Sequence, residues 1–179
     1  IDPRDCEFWQ EPLSELMDFC PDVEKMSCVD PYPPKEWVKS ITGHYPRVNG
    51  KTFAEINRMF LNIIQEKTGQ SIIVDTSKTI WRLLPLFREM GQDIKVLHVI
   101  KKPENQVGSR YKRGMDSFFK SAIMKYGRRN FLYDFFCNDD NRYRKVRFEE
   151  LAKEFEPTLR SIHEWLGVEY EDPLEGPET

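Results

Sequence analysis

Two short polar stretches combine residue types that can handle an anion. The first is Asp75-Thr76-Ser77-Lys78, which places a carboxylate, two hydroxyls and an amine directly after the apolar Ile72-Ile73-Val74. If a strand ends there and a helix begins, the helix N–H groups favour an anion and Lys78 adds a full positive charge. The same residues also suit a plain helix start, with Ser77 as N-cap and Asp75 as its helper. The second stretch runs from Lys101-Lys102-Pro103 to Ser109. Two lysines close an apolar run, and Pro103 fits the first turn of a helix, where a missing N–H costs nothing. A phosphate at that point would meet a helix N-terminus and an amine together. Ser109 lies two turns along the same helix, and Gly108 beside it permits close approach. A charged surface loop is the plainer use of these residues.

The elements that must hold these stretches are legible in part. Prolines 3, 12, 21, 31, 33, 34 and 46 break residues 1–50 into short pieces, with helices expected over 11–19 and 34–40. Thr52-Phe53-Ala54-Glu55 is a capping box. Phe53, Ile56, Met59, Phe60, Ile63 and Ile64 follow at helical spacing, and Gly69 supplies the stop. The pattern then predicts a strand over 71–74, a helix over 79–90, a strand over 94–100 and a helix from Pro103 past Ser109. A helix over 116–136, a strand over 143–148 and helices over 149–154 and 157–166 complete the chain. Helical crossovers between strands imply parallel pairing. The expected fold is a single α/β domain over 1–179, with an irregular 1–50 and an α/β core over 51–170. Ligands of such sheets bind beyond the carboxyl ends of the strands, where both polar stretches fall.

Composition narrows the function classes. The chain has 179 residues, 23 of them aromatic, and a net charge of −3. That aromatic content excludes wholesale disorder. No run of 18 apolar residues offers a transmembrane helix. Residues 94–129 carry ten basic and two acidic side chains, net +8, which leaves −11 for the remainder. A basic block within an acidic protein points to a local anionic ligand, not to general nucleic-acid affinity. Cys6, Cys20, Cys28 and Cys137 show no C-x-x-C spacing, so no zinc site is expected and the thiols are read as reduced. Without a signal peptide or an Asn-x-Ser/Thr sequon, the expected compartment is cytoplasmic. The first residues carry no initiator Met, so the expectation is a chain that starts within a longer protein.

Taken in order, several segments resemble the sulfotransferase family, in particular its bacterial-type domain. Lys101-Lys102-Pro103 and Ser109 keep the spacing of that family's 3′-phosphate motif, a strand ending in Arg-x-Pro with a Ser six residues after the Pro. Lys101 stands where the Arg usually is. Ile73-Val74-Asp75-Thr76-Ser77-Lys78 is similar to the family's Val-Asp-Ser-Ser-Lys stretch. Val146-Arg147-Phe148-Glu149-Glu150-Leu151 resembles its Val-Arg-Tyr-Glu-Asp-Leu. Glu156-Pro157-Thr158-Leu159 and Trp165-Leu166-Gly167-Val168 look like its closing Asp-Pro-x-x-Thr-Leu and Phe-Leu-Gly-Leu, and Cys6-Glu7-Phe8-Trp9 is similar to a Cys-Pro-Phe-Trp common in the group. The resemblance covers about 100 residues, from Ser71 to Tyr170.

The resemblance implies a P-loop-NTPase-like parallel sheet flanked by helices, incomplete at its N-terminus. It implies transfer of a sulfuryl group from 3′-phosphoadenosine 5′-phosphosulfate to a hydroxyl or amine, with no metal. Lys101 and Ser109 would grip the 3′-phosphate, with Ser77 also on the donor. Lys78 would lie near the phosphosulfate, and Asp75 would orient the acceptor or act as base. The acceptor would be a small molecule or glycan and is not specified. The family's first motif, a Gly-Thr phosphate loop, has no counterpart in this sequence. Ser77 stands where small-molecule members carry a catalytic His. A non-catalytic module that keeps the fold is therefore the alternative reading. A nucleotide kinase is disfavoured, because no Gly-Lys-Ser/Thr phosphate loop occurs. Tyr126, Arg128, Arg129 and Arg147 are candidates for adenine stacking or an acidic acceptor, with surface charge and core packing as their plainer use. His98, flanked by Leu97 and Val99, reads as a core histidine.

Overall fold

The computed structural model describes residues 7–19, 47, 49–76, 80–114, 119–138 and 140–171. The helix expected over 34–40 lies outside them. Contacts group the chain into two units, Ile1–Ile94 and Lys95–Thr179.

In the first unit, α1 spans Glu7–Phe19, α2 Phe53–Thr68 and α3 Ile80–Glu89. A start for α1 at Glu11 would put Pro12 in the first turn. The helix instead begins a turn earlier and buries Pro12 in its interior. The capping box of α2 is formed. Thr52 Oγ1 accepts from the Glu55 N–H at 3.2 Å, and Glu55 Oε2 accepts from the Thr52 N–H at 2.6 Å. The Thr52 N–H also holds the Glu55 carboxyl below its usual range. Gly69 ends the helix at φ +67°, which only glycine adopts without strain.

The spacing of apolar residues on α2 creates two buried faces. Ile56 and Ile63 pack on Leu16 of α1, with Met59 and Phe60 at the margin. Phe53 and Ala54 pack on Leu86 and Met90. The Thr52 hydroxyl also donates to Glu89 Oε2 at 2.7 Å, tying the start of α2 to the end of α3.

The strand expected over 71–74 is absent. Residues 72–76 run without a ladder partner among the described residues, and Val74 is 81% exposed. An apolar run with strand propensity becomes a strand only when a neighbour takes its N–H and C=O groups. None does here.

In the second unit, β1 spans Val96–Ile100, α4 Pro103–Lys112, α5 Phe119–Cys137, β2 Tyr143–Arg147, α6 Phe148–Lys153 and α7 Phe155–Leu166. β1 and β2 pair in parallel, with Val96 opposite Tyr143 and Ile100 opposite Arg147. The architecture is therefore α/β, mostly helical, with a small two-stranded parallel sheet among the described residues. Partners in a parallel register point to the same side, so Val96, His98, Ile100, Tyr143 and Lys145 share a face. Tyr133 and Asp134 of α5 meet that face: Tyr133 lies 4.4 Å from the His98 ring, and Asp134 pairs with Lys145. On the opposite face, Arg144 reaches Ser161 of α7, with Nη2 to Oγ at 2.5 Å.

The last helices break at Glu154, so Pro157 falls in the first turn of α7, where it is tolerated. Lys95 Nζ donates to the carbonyls of Trp165 and Leu166 at 2.7 and 2.9 Å. A cation at a helix C-terminus satisfies carbonyls that the helix itself leaves open.

Thr52→Ala removes both the α2 cap and the link to Glu89. Urea unfolding should show a loss of about 1 kcal/mol. An unchanged midpoint would mean that the capping box contributes nothing to stability.

Candidate phosphate-binding site

Lys101 is the first residue after β1, and three neighbours fix it. The Tyr126 hydroxyl of α5 donates to the Lys101 carbonyl at 2.9 Å. The Lys101 ammonium sits 5.2 Å from the centre of the Phe148 ring. The next amide, Lys102 N–H, donates to Glu149 Oε1 at 2.9 Å. These contacts follow from the sheet register. Ile100 stands opposite Arg147, so continuing the register puts Lys101 beside Phe148 and Lys102 beside Glu149. The stretches 101–109 and 146–151, which carry two of the resembling motifs, thus meet in space.

Glu149 also changes the expected mode of phosphate binding. Its Oε1 accepts from Asn105 Nδ2 at 3.1 Å as well as from the Lys102 amide. The Asn105 and Gln106 amides turn back onto the Lys102 carbonyl, each at 3.0 Å. A carboxylate of the chain itself therefore occupies the start of α4, where a phosphate was expected to meet the helix N-terminus. The Lys102 N–H and Asn105 hold that carboxyl below its usual range. Its second oxygen, Oε2, is shielded from solvent with no hydrogen-bond partner.

The other residue expected on the phosphate is on the side of α4. Ser109 lies six residues beyond Pro103, about 9 Å along the helix at 1.5 Å per residue. Val107 is fully buried, and Ser109 projects to the other side of α4 and is half-buried. A phosphate between the Lys101 ammonium and the Ser109 hydroxyl would lie along the flank of α4. The cation–π contact with exposed Phe148 is worth about 0.5–1 kcal/mol. A hydrogen bond to a charged partner is worth about 1.5–3 kcal/mol. Phosphate would therefore draw the ammonium off the ring.

The other expected site residues fall elsewhere. Asp75 belongs to the first unit, where its Oδ2 lies 3.3 Å from Arg82 Nε. Arg82 Nη2 donates to the buried Asn57 side chain at 2.9 Å, and Arg82 lies over Phe53. Asn57 and Arg82 carried no motif, so sequence reasoning missed them. Ser77 and Lys78 lie outside the described residues. Tyr126, a candidate for adenine stacking, spends its hydroxyl on the Lys101 carbonyl. Arg147 is exposed and stands 3.7 Å from Glu150. Arg128 and Arg129 are exposed on α5.

His98 lies within the second unit's core. Its Nδ1 is 2.7 Å from the Tyr143 hydroxyl, which donates to Asp134 Oδ1 at 3.2 Å. Burial, then Lys145, pulls the His98 pKa from 6.5 down to about 4, against the opposing pull of Asp134. Burial pushes the Tyr143 hydroxyl well up. Both groups are thus neutral near pH 7, as a structural pair requires.

A shallow hollow of about 540 Å³ along α7, lined by Arg160, His163, Tyr170 and neighbours, includes none of the expected donor-binding residues. Among the described residues, no group of three His, Cys, Asp or Glu side chains could hold a metal ion. No helix among them is long and apolar enough to cross a membrane. No family model, curated protein or solved structure matches the chain.

The His98 pKa is depressed in the folded state, so the unfolded chain takes up the proton first. This stability is fully present above pH 6.5 and is lost as pH falls from 6.5 to about 4. Thermal melts across that window should show a falling midpoint, and His98→Gln should flatten the slope. An equal slope in the variant would assign the pH dependence to other groups.

Proposed function

We propose that this chain belongs to a sulfotransferase that uses 3′-phosphoadenosine 5′-phosphosulfate, with Lys101 and Ser109 holding the donor's 3′-phosphate. One observation carries this reading. The strand–lysine–proline–helix order places Lys101 at the end of β1 and Ser109 on the flank of α4, and Phe148 and Glu149 brace that junction. The sequence resemblance suggests the chemistry, and the braced junction with Lys101 at its edge supports this reading.

In the reaction, the acceptor's hydroxyl oxygen or amine nitrogen forms a bond to sulfur. The bond from sulfur to the bridging oxygen of the 5′-phosphate breaks, and the acceptor's proton goes to a base. The products are the sulfated acceptor and 3′-phosphoadenosine 5′-phosphate. By the resemblance alone, Lys78 would offset charge on the phosphosulfate, Ser77 would touch the donor, and Asp75 would orient the acceptor or take its proton. Lysine at 101 binds phosphate as a point charge without the fork geometry of arginine. Orientation of the phosphate therefore falls to Ser109.

A second reading is a non-catalytic binding module of the same build. It is favoured by the engagement of the Asp75 carboxylate with Arg82, which uses the proposed base to hold a side chain of its own unit.

Calorimetric titration tests the reading. The protein should bind 3′-phosphoadenosine 5′-phosphate in clear preference to AMP. Lys101→Ala should weaken the bisphosphate roughly tenfold or more and leave AMP nearly unchanged. Equal weakening of both ligands would refute the assignment of Lys101. No binding of either by the unaltered chain would count against the donor.

A further inference from the structure

Helix α5 presents two opposite apolar faces. Ala122, Tyr133 and Cys137 are buried on its inner side. Met124, Phe131 and Phe135 lie about 180° away at 100° per residue. They are 65%, 61% and 68% exposed. The rings of Phe131 and Phe135 stack at 5.7 Å, and Phe136 meets Phe135 edge-on at 5.0 Å. Among the described residues of the second unit, no packing partner is seen for Met124, Phe131 and Phe135 beyond the ring contacts of α5 itself. Exposed apolar clusters of this kind mark interaction surfaces.

The charge around the ridge selects its partner. Between Phe119 and Tyr133 the helix has no Asp or Glu and carries Lys120, Lys125, Arg128 and Arg129. At 100° per residue, Lys120 and Arg128 fall on the same side as the aromatic ridge. A partner must therefore be apolar and anionic at once. A second copy docked face to face would set these cations against their own copies. A ridge on one convex helix offers no groove for a folded partner, whereas a lipid surface deforms around it. Phenylalanine and methionine enter the acyl boundary while lysine and arginine extend to the headgroups.

We propose that the outer face of α5 seats this protein on an anionic lipid bilayer, with Met124, Phe131 and Phe135 inserted and Lys120 and Arg128 at the headgroups. The helix lies on the surface and does not span it. This inference is independent of the proposed donor site. The basic charge draws the helix to the leaflet, and the rings add apolar burial once it arrives.

The test is co-sedimentation of the full 179-residue chain with two kinds of vesicle. One is phosphatidylcholine alone, and the other is phosphatidylcholine with phosphatidylserine at roughly three to one. The chain should sediment with the anionic vesicles and not with the neutral ones. Phe131→Ser with Phe135→Ser should cut partitioning about tenfold or more, and so should Lys120→Gln with Arg128→Gln. Circular dichroism of each variant should retain the helical signal of the unaltered protein, so that a loss of partitioning reports on the membrane and not on folding. Absence of sedimentation with anionic vesicles would overturn the proposal. So would equal sedimentation with both vesicle types, or binding that the phenylalanine pair does not affect. A dimer in light scattering that the phenylalanine variant dissolves would assign the face to a second copy instead.

Discussion

One carboxylate ties the two strand ends of the second unit to the start of its first helix. Glu149 stands just past β2, and its Oε1 takes the Lys102 amide and the Asn105 side chain just past β1. That clamp welds the ends of both strands to the start of α4. It answers the need of an exposed helix N-terminus for an anion, and it does so with a residue of the chain. The neighbouring Lys101 is then fixed from two more sides by Phe148 and Tyr126. The consequence for function is geometric. Under the proposed function, the 3′-phosphate would use the flank of α4, beside Lys101 and Ser109, and not the helix start that Glu149 already faces.

Local signals in the sequence carried most of the helices. Thr52-Phe53-Ala54-Glu55 forms its capping box, and Gly69 and Gly167 stop their helices at positive φ. Pro103 begins α4 as expected. Local chemistry decides these features, so a short window reads them well. The strand over 71–74 misled because strand formation is not local. Its propensity is real, yet no neighbour pairs with it. Helix α1 was read a turn short, since Pro12 was taken as a boundary when burial holds it inside.

The site was legible in its order but not in its bracing. Lys101 and Ser109 came from spacing. Glu149 and Phe148 came only as part of a resembling string, without roles, and the parallel register assigns them. Had the pairing of 96–100 with 143–147 been set out beforehand, Lys102 would have been placed against an acid. Asn57 and Arg82 gave no signal: their partnership with Asp75 joins two helices and a loop far apart in sequence. His98 was legible as a histidine turned to the packed face of its strand, where it is half-buried against Tyr133 and Tyr143 and held neutral, although its neighbours Leu97 and Val99 are exposed.

The +8 window is dispersed in the structure: Lys95 meets the C-terminus of α7, and Arg110, Lys112 and Arg113 close α4. Lys101 and Lys102 belong to the strand–helix junction, whereas Lys120, Lys125, Arg128 and Arg129 belong to α5. The central claim concerns the junction, and amide chemical shifts test it most directly. Titrating 3′-phosphoadenosine 5′-phosphate into isotope-labelled protein should perturb the amides of Lys101, Lys102 and Ser109 most strongly, with α7 unmoved. Shifts centred elsewhere, or absent from the α4 flank, would contradict the account.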